Sequence, residues 1–544
     1  MKQQTSTITN TTFHILGISE ILLLLKPISE LGWKATKNIF PYSSKDQEAL
    51  EKYFSLLQKL ILLGKKNPQK IKKIISLLHH FLDIEYVVKS INIRPLEMHE
   101  FFEIKNFVYQ YLQLMKIIAS EKIIPKRNFQ ALYQLLDPDH QDGTSFYLSS
   151  QYSNKLKRLR ATMNVLTQKK EALFQDYQAK IMHELKISIL NETITVARKN
   201  ERLKIQLIDS GYFDLCNENF ANYTLKLKIP AAILQLEKKI HFIREAQNQE
   251  AKKILLRLSQ KIMIYQQNLF LALQEISFFD LLLAKSIFAK NYQCSIPKIL
   301  PQNNTIIFEG KNTFNLLLQK ELHQQGLKYQ KINLKITEKI NVFSGGNMCG
   351  KTCALKNIGQ IAYLTSLGFP VPAEMAHTKL FDHIIYSGPN ALETRPDLSS
   401  FGQEVHTLQT FIQNQGFNLL LLDEFGRGTN PEEGEQLYHA VLQYFLEQNN
   451  QIVISATHYS LPSTEKKFSH FQILGITKKQ LLIIKKHLLM NSEEKIRLLN
   501  EKINYQPVEV MQDTKIPQLA CQIAEILGLE KEIIQKIKFS TSSG

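Results

Sequence analysis

The sequence has few of the residues that form covalent or metal cross-links. Its five cysteines, Cys216, Cys294, Cys349, Cys353 and Cys521, show neither paired zinc-ligand spacing nor a disulfide framework. The opening stretch MKQQTSTITNTT lacks the apolar core of a signal peptide, and the run ILLLL is far too short to cross a bilayer. These absences predict a soluble protein of a reducing compartment, the cytoplasm, with no membrane association.

Length and composition describe a multidomain globular chain. At 544 residues it is long for one hydrophobic core, and a prior of about 150 residues per domain gives roughly three or four units. The net charge of +17 and a pI near 9.3 are compatible with a polyanionic partner such as nucleic acid. Short basic runs, Lys65 to Lys73 and Thr477 to Lys486, either bind phosphate groups or form solvated helix faces.

The apolar spacing of the first 300 residues predicts long helices on either side of a small β segment. Apolar residues recur with helical spacing over about the first 130 residues, and the segment NKLKRLRATMNVLTQKKEALFQDYQAKIMHEL suits a long charged helix. Ile194 to Ile208 and Asn222 to Ile229 alternate in the manner of strands. Ala231 to Ile296 contains no Gly or Pro and is long enough for one or two helices. This order predicts a lever-like hairpin, with a coiled-coil rod as the alternative.

These patterns divide the chain into four segments. We expect the first part of a helical core over residues 1–190, a small β segment over 191–230 and a returning helical segment over 231–300. Beyond residue 301 short apolar strands alternate with Gly-bearing loops and helices, as in a parallel α/β sheet. The predicted fold class is therefore a helical core with a small β insertion, followed by an α/β domain.

A phosphate-binding motif opens this last segment. The stretch GGNMCGKT follows a strand-like KINVFS, precedes a helical pattern and matches G-x-x-x-x-G-K-[ST]. Backbone N–H groups of such a loop bind phosphate oxygens, the lysine reaches the β and γ phosphates, and the hydroxyl holds Mg²⁺. The predicted ATP-binding residues are Gly345, Gly346, Asn347, Met348, Cys349, Gly350, Lys351, Thr352 and Cys353.

Acidic and imidazole side chains end the next two apolar runs. The run FNLLLLDE predicts a strand buried on both faces that ends in Asp423 and Glu424. Asp423 can complete a Mg²⁺ site with Thr352, and Glu424 can polarise the attacking water. The run QIVISATH places His458 at the same sheet edge, where it can sense the γ phosphate, although a lone histidine is more often structural. The predicted catalytic residues are Lys351, Glu424 and His458.

In this order and spacing, GGNMCGKT, DEFGRGTNPEEG and ATHY resemble the MutS family of ATPases. Weaker likenesses extend to the N-terminal helices, to ETITVARKNERLKIQL and to the C-terminal IPQLACQIAEILGLEKEIIQKIK. The resemblance implies a helical lever core, a clamp and an ABC-type P-loop ATPase. It also implies ATP and Mg²⁺ as ligands and a dimer of identical or related chains. In that family a serine of an S-T-F stretch completes the partner's active site, and Ser399 of SSFGQEV is the matching position. The alternative is that Ser399 only caps the following helix.

Three departures from the family pattern limit this inference. The chain is expected to begin almost directly at the core, without the mismatch-reading and connector domains of repair members. It is also expected to lack the nuclease-like domain of the second bacterial subfamily. The clamp is reduced to the β segment, whose basic residues either contact DNA phosphates or face solvent: Arg198, Lys199, Arg202, Lys204, Lys226 and Lys228.

Cys349 is a smaller departure, because it stands where repair members have glycine. Its position near a helix N-terminus, like that of Cys353, predicts a lowered thiol pKa and redox sensitivity, with plain packing as the alternative.

The sequence thus predicts an ATP-gated dimeric clamp on duplex, mismatched or branched DNA in repair or recombination. No nuclease activity is expected. The alternative is a protein-remodelling ATPase that does not act on DNA, since some short MutS-type chains are associated with reactivating aminomutases.

Overall fold

The computed structural model describes residues 7–187, 192–346, 349–389, 398–459, 468–476, 480–481 and 502–510, with isolated positions beyond. Its contacts form two compact units rather than the three or four expected from length. The first unit comprises Met1–His80, Ile117–Pro125 and Glu275–Gly544, and the second comprises Phe81–Lys116 and Lys126–Gln274.

The helices of the first 300 residues confirm the predicted helical segments, except that one helix, over residues 201–209, lies where a strand was predicted. They are α1 Thr7–Ile15, α2 Ile18–Leu23, α3 Glu30–Thr36, α4 Gln47–Lys66, α5 Pro68–Leu78, α6 Glu85–Ser90, α7 Met98–Ile118, α8 Gln130–Leu136, α9 Asn154–Leu185, α10 Glu201–Asp209, α11 Ala231–Ile262 and α12 Gln266–Asn291. In α4 the spacing of Leu50, Phe54 and Leu57 places these apolar side chains on one buried face. The helical spacing of apolar residues therefore gives such a helix one apolar face, which is buried against neighbouring elements.

The helices α9 and α11 form the predicted helical hairpin in the second unit. Ser153, at the start of α9, donates a hydrogen bond of 2.8 Å to Glu250, and Lys170 donates one of 2.9 Å to Glu237. Residue numbers rise on one helix as they fall on the other, so the two helices run antiparallel.

A small sheet lies between these two helices in sequence. It contains β1 Thr193–Ala197, β2 Phe213–Glu218 and β3 Asn222–Leu227, in the antiparallel order β1-β3-β2. The strand prediction for Ile194–Ile208 was wrong beyond Ala197, because α10 follows. Leu203 and Leu207, four residues apart, pack in the same apolar cluster, whereas Ile205 between them is 51% exposed. The packing thus follows the helical period and not the alternation.

The α/β region contains two sheets. Its elements are β4 Lys298–Ile299, β5 Phe308–Thr313, α13 Leu316–Gln324, β6 Ile332–Ile336, β7 Ile340–Gly345, α14 Lys351–Ser366, β8 Met375–Thr378, β9 His383–Ser387, α15 Ser400–Gln413, β10 Asn418–Asp423, α16 Pro431–Glu447, β11 Gln451–Ala456, β12 Phe468–Gly475 and β13 Asn504–Glu509. The larger sheet has the order β13-β12-β7-β11-β10-β9, and the smaller has the order β4-β8-β5-β6. The larger sheet is parallel, as predicted, except that β13 is antiparallel to β12.

The continuous apolar run in β10 is explained by burial on both faces of the larger sheet. Leu419 and Leu421 belong to the cluster that contains the α14 side chains, and Leu420 and Leu422 belong to the cluster that contains the α16 side chains. A strand covered on both faces cannot alternate apolar with polar residues. The carboxyl end of β10 is where polar residues begin.

Two polar contacts join other helices to the larger sheet and to the helix α14. The Oγ1 atom of Thr12 in α1 accepts a hydrogen bond of 3.0 Å from the backbone N–H of Tyr386 in the edge strand β9. Buried Lys285 of α12 donates to the carbonyl oxygens of Leu367 (2.9 Å) and Gly368 (3.1 Å), just after α14 ends. Among the described residues, no helix combines the length and apolarity needed to span a membrane.

Candidate functional site

The phosphate-binding loop joins β7 to α14. Gly345 and Gly350 have φ angles of 151° and 93°, which favour glycine. A Cβ on Gly350 would lie 2.7 Å from the ring of Tyr505 in β13, so a side chain is also excluded by space. The loop leads directly into the N-terminus of α14, whose first backbone N–H groups are the kind of group that binds phosphate oxygens. Asn347 and Met348 lie outside the described residues.

Lys351 is buried at the start of α14. Its Nζ atom donates to the carbonyl oxygens of Gly345 (3.0 Å) and Gly346 (3.1 Å). Burial lowers the pKa of Lys351 from its ordinary value. A phosphate group beside this ammonium would favour the charged form, because an opposite charge offsets the cost of desolvation.

Two oxygen ligands for a cation meet where α14 begins and β10 ends. Thr352 Oγ1 donates to Asp423 Oδ1 over 3.1 Å, and Tyr386 donates to the other carboxylate oxygen over 2.7 Å. Burial raises the pKa of Asp423. A hydroxyl and a carboxylate side by side are the oxygen ligands that Mg²⁺ binds together with substrate phosphates. The residues present therefore fit the predicted metal.

Glu424 and His458 lie together at the carboxyl ends of β10 and β11. Glu424 has a φ angle of 56° and donates its backbone N–H to the carbonyl of Ala456 (2.8 Å). Its Oε1 atom lies 2.8 Å from His458 Nε2, and its Oε2 accepts from Arg427 over 2.6 Å. A positive φ at a glutamate is uncommon and costs free energy, which directs attention to this residue as a functional one.

His458 also approaches the phosphate-binding lysine. Its Nε2 atom lies 3.1 Å from Lys351 Nζ, and the pKa of His458 is lowered by burial first and then by the Lys351 charge. A neutral ring can use Nε2 to donate to Glu424 or to accept from Lys351, but not both at once. The structure thus brings Lys351, Thr352, Asp423, Glu424 and His458 to one place, as the motifs predicted.

A cavity of about 670 Å³ opens beside the loop. Its walls include Leu16 and Gly17 before α2, α13, the first turn of α14, and Tyr505. Cys349 and Cys353 also line it, but burial raises the pKa of both thiols. The predicted lowering was wrong, because desolvation outweighs the helix N-terminus, and the packing alternative describes these cysteines.

Ser399 caps α15. Its Oγ accepts a hydrogen bond of 3.2 Å from the backbone N–H of Gly402, as the capping alternative predicted. This contact lies within one chain and does not test whether Ser399 completes the active site of a partner chain.

The six basic residues of the β segment lie on its surface. Lys204 is partly buried and the other five are exposed. Arg198 forms an ion pair with Glu218, and Lys228 pairs with Asp214 over 3.0 Å. Lys204 lies 4.1 Å from the centre of the Tyr223 ring. Part of this positive charge is therefore paired with acidic side chains or placed against an aromatic ring within the small sheet.

Comparison with known proteins places this site in a family. The family model described as MutS domain V matches residues 341–538, a range that begins in β7 and includes the loop, both acids and the histidine. Residues 341–538 therefore form an ATPase domain of the MutS family. The predicted resemblance is confirmed.

The relatives share this region at modest identity. "Endonuclease MutS2" of Finegoldia magna is 28% identical over 235 residues, which are 42% of this chain and 29% of that protein. "DNA mismatch repair protein MutS" of Prochlorococcus marinus is 25% identical over 321 residues, 57% of this chain and 32% of that protein. "Endonuclease MutS2" of Caldicellulosiruptor saccharolyticus is 30% identical over 237 residues, 42% and 28% respectively. The chain thus spans about a third of the length of each of these MutS-family relatives.

Sequence reasoning missed three residues of the site. Tyr386 holds Asp423, Tyr505 packs on the phosphate-binding loop, and Glu404 of α15 accepts a hydrogen bond from Gly426 beside Glu424. Glu404 stands five residues after Ser399 in a stretch that the resemblance singled out, which is the one signal that could have found it. The contacts of the two tyrosines depend on strands far apart in sequence.

Proposed function

We propose that this MutS-family ATPase works as an ATP-gated dimeric clamp on DNA. The ATPase half of the proposal rests on one observation: Lys351, Thr352, Asp423, Glu424 and His458 meet at the carboxyl edge of a parallel sheet. Open α/β sheets bind ligands at this edge.

In the proposed reaction the loop N–H groups and Lys351 bind the β and γ phosphates of ATP. Glu424 accepts a proton from the attacking water, and His458 fixes the carboxylate orientation through Nε2. Thr352 and Asp423 would hold Mg²⁺, which neutralises charge on the phosphates when it is bound. Each step uses a side chain whose position is given by the hydrogen bonds described above.

The dimer enters the proposal through Ser399. Because Ser399 lies at an exposed position just before α15, its hydroxyl can reach the γ phosphate bound by a second copy or a related chain. The proposed partner is therefore another MutS-type chain, and ATP binding would close the pair.

Charge supports DNA as the clamped partner. Residues 154–262, which contain α9, the small sheet and α11, carry 21 Lys and Arg against 11 Asp and Glu. This segment thus holds more than half of the net charge of +17 in about a fifth of the chain. Concentrated positive charge favours the phosphate backbone through counterion release.

The turn between β2 and β3 adds an aromatic side chain to this segment. Phe220 is 99% exposed, and the Asn219 side chain fixes the turn by accepting hydrogen bonds from the N–H groups of Ala221 and Asn222. Solvent-exposed aromatic rings in a basic region can stack on bases or insert between them.

The deciding experiment is the steady-state ATPase rate of the full chain, alone and with homoduplex, mismatched or four-way-junction DNA, at two salt concentrations. Stimulation that weakens with salt supports the DNA clamp, and the best substrate identifies the structure bound. An ATPase rate indifferent to every DNA would reject the DNA part and leave the remodelling alternative.

A further inference from the structure

The loop that follows Glu424 is held at one residue, Gly426, through the peptide groups on both sides of its Cα atom. The backbone N–H of Gly426 donates to Glu404 Oε2 over 2.8 Å, and the Gly426 carbonyl accepts from the Tyr459 hydroxyl over 3.2 Å. Tyr459 directly follows His458, and Gly426 lies two residues after Glu424. Fixing Gly426 therefore constrains the chain segments that carry both catalytic side chains.

The surrounding packing leaves Gly426 little freedom. Gly426 has a φ angle of 83°, and a Cβ there would lie 3.2 Å from the carbonyl oxygen of Gly434. A Cβ on Gly434 would lie 2.5 Å from the Tyr459 hydroxyl. Glu424 itself has a positive φ. Backbone in such conformations persists only where neighbouring contacts determine it, and the Glu404 hydrogen bond is one of those contacts.

Glu404 is suited to this role by its position in α15. Its side chain is partly buried, and burial raises the pKa of its carboxyl group. A shielded hydrogen bond of a backbone N–H to a carboxylate is stronger than one to a neutral acceptor. The helix that carries Glu404 begins at Ser400, directly after Ser399.

We propose that Glu404 is a positioning residue for ATP hydrolysis, which holds Gly426 so that Glu424 points at the attacking water. This inference rests on the proposed function, because it assumes that Glu424 is the base. Glu404 contacts neither the loop of residues 345–350 nor Lys351 among the hydrogen bonds described, so it acts on the chemical step and not on ATP binding.

The test compares Glu404→Ala and Glu404→Gln in the full-length protein. We expect Glu404→Ala to lower kcat at least tenfold while KM for ATP changes less than about twofold, because only the chemical step depends on the glutamate geometry. Glu404→Gln keeps an acceptor oxygen and should restore kcat to within a few-fold of wild type. Thr407→Val, one turn later in α15, is the matched control: its hydroxyl donates to the Gln403 carbonyl of its own helix, and kcat should not change.

A double variant separates positioning from general destabilisation. Adding Glu404→Ala to Glu424→Gln should lower the residual rate no further, since the residues act as one unit. A normal kcat for Glu404→Ala, an additive double variant, or a Gln variant as impaired as the Ala variant would each overturn the proposal. If wild-type protein hydrolyses no ATP, the proposed function fails instead, so the two failures are distinguishable.

Discussion

Glu424 Oε1 lies 2.8 Å from His458 Nε2, although 34 residues separate the two in the chain. The parallel pairing of β10 with β11 produces this contact, because Asp423 is in register with Ala456 and the next residues leave the sheet together.

Replacement of Glu424 by Gln should remove the catalytic base while keeping the size and shape of the side chain. We expect kcat to fall on the order of a hundredfold or more, with ATP affinity nearly unchanged. Single-turnover hydrolysis and nucleotide binding measure the two effects, and a normal rate would reject Glu424 as the base.

The pH profile should reveal His458. Its pKa lies below the ordinary 6.5 because burial and the Lys351 charge disfavour the imidazolium. The neutral ring is therefore retained as pH falls through 6.5, and the loss of kcat should appear only at lower pH. In His458→Asn the low-pH decrease due to this group should disappear. A wild-type decrease centred above pH 6.5 would contradict the assignment.

Mixed dimers test Ser399. Consider a mixed dimer of one Ser399→Ala chain and one Glu424→Gln chain. The site of the Ser399→Ala chain keeps its own Glu424. If the serine acts in trans, this site also receives an intact Ser399 from the partner chain. We expect each variant alone to be nearly inactive and an equal mixture to recover about a quarter of wild-type activity, since half of the dimers are mixed and each has one intact site. A serine that acts within its own chain would give no recovery.

Stability should depend on pH through Lys285. Burial lowers the pKa of this lysine to about 7, from an ordinary 10.5. Below pH 7 Lys285 is protonated in both the folded and the unfolded chain. Between pH 7 and 10.5 only the unfolded chain keeps this proton, so the free energy of unfolding rises with pH. From pH 7 to pH 9 the gain should be about 2 kcal/mol relative to Lys285→Met, whose side chain does not titrate. Equal pH dependence of the two proteins in urea unfolding would contradict this.

Phe220 tests the DNA proposal at a single side chain. Phe220→Ala should weaken DNA binding about tenfold with an unchanged salt slope, since base stacking contributes about 1–3 kcal/mol. Phe242→Ala is the control, because this ring lies on α11 and is 71% exposed. Replacement of exposed Lys199, Arg202 and Lys226 by Gln should instead reduce the salt slope. Equal affinities of the Phe220 and Phe242 variants would exclude a contact at the turn.

The sequence revealed the parts of the site that short motifs encode. Asp423 ends an apolar strand, and Lys351 and His458 come shortly after two others, so the pairing of these parallel strands is enough to bring the three residues together. Contacts between distant segments gave no such pattern: Tyr386 reaches Asp423 from a neighbouring strand, and Glu404 reaches Gly426 from another helix. The thiol prediction for Cys349 failed for the same reason, because desolvation depends on the packed structure.

The hydrogen bond from the Tyr386 backbone to Thr12 affects how copies of this chain can associate. The strand β9 is at the rim of the larger sheet, where unpaired N–H groups would recruit a strand from another molecule. With α1 lying against it, that rim is occupied by the same polypeptide. Subunits are thereby kept from joining sheet to sheet at β9, and a self-templating aggregate would first have to displace α1.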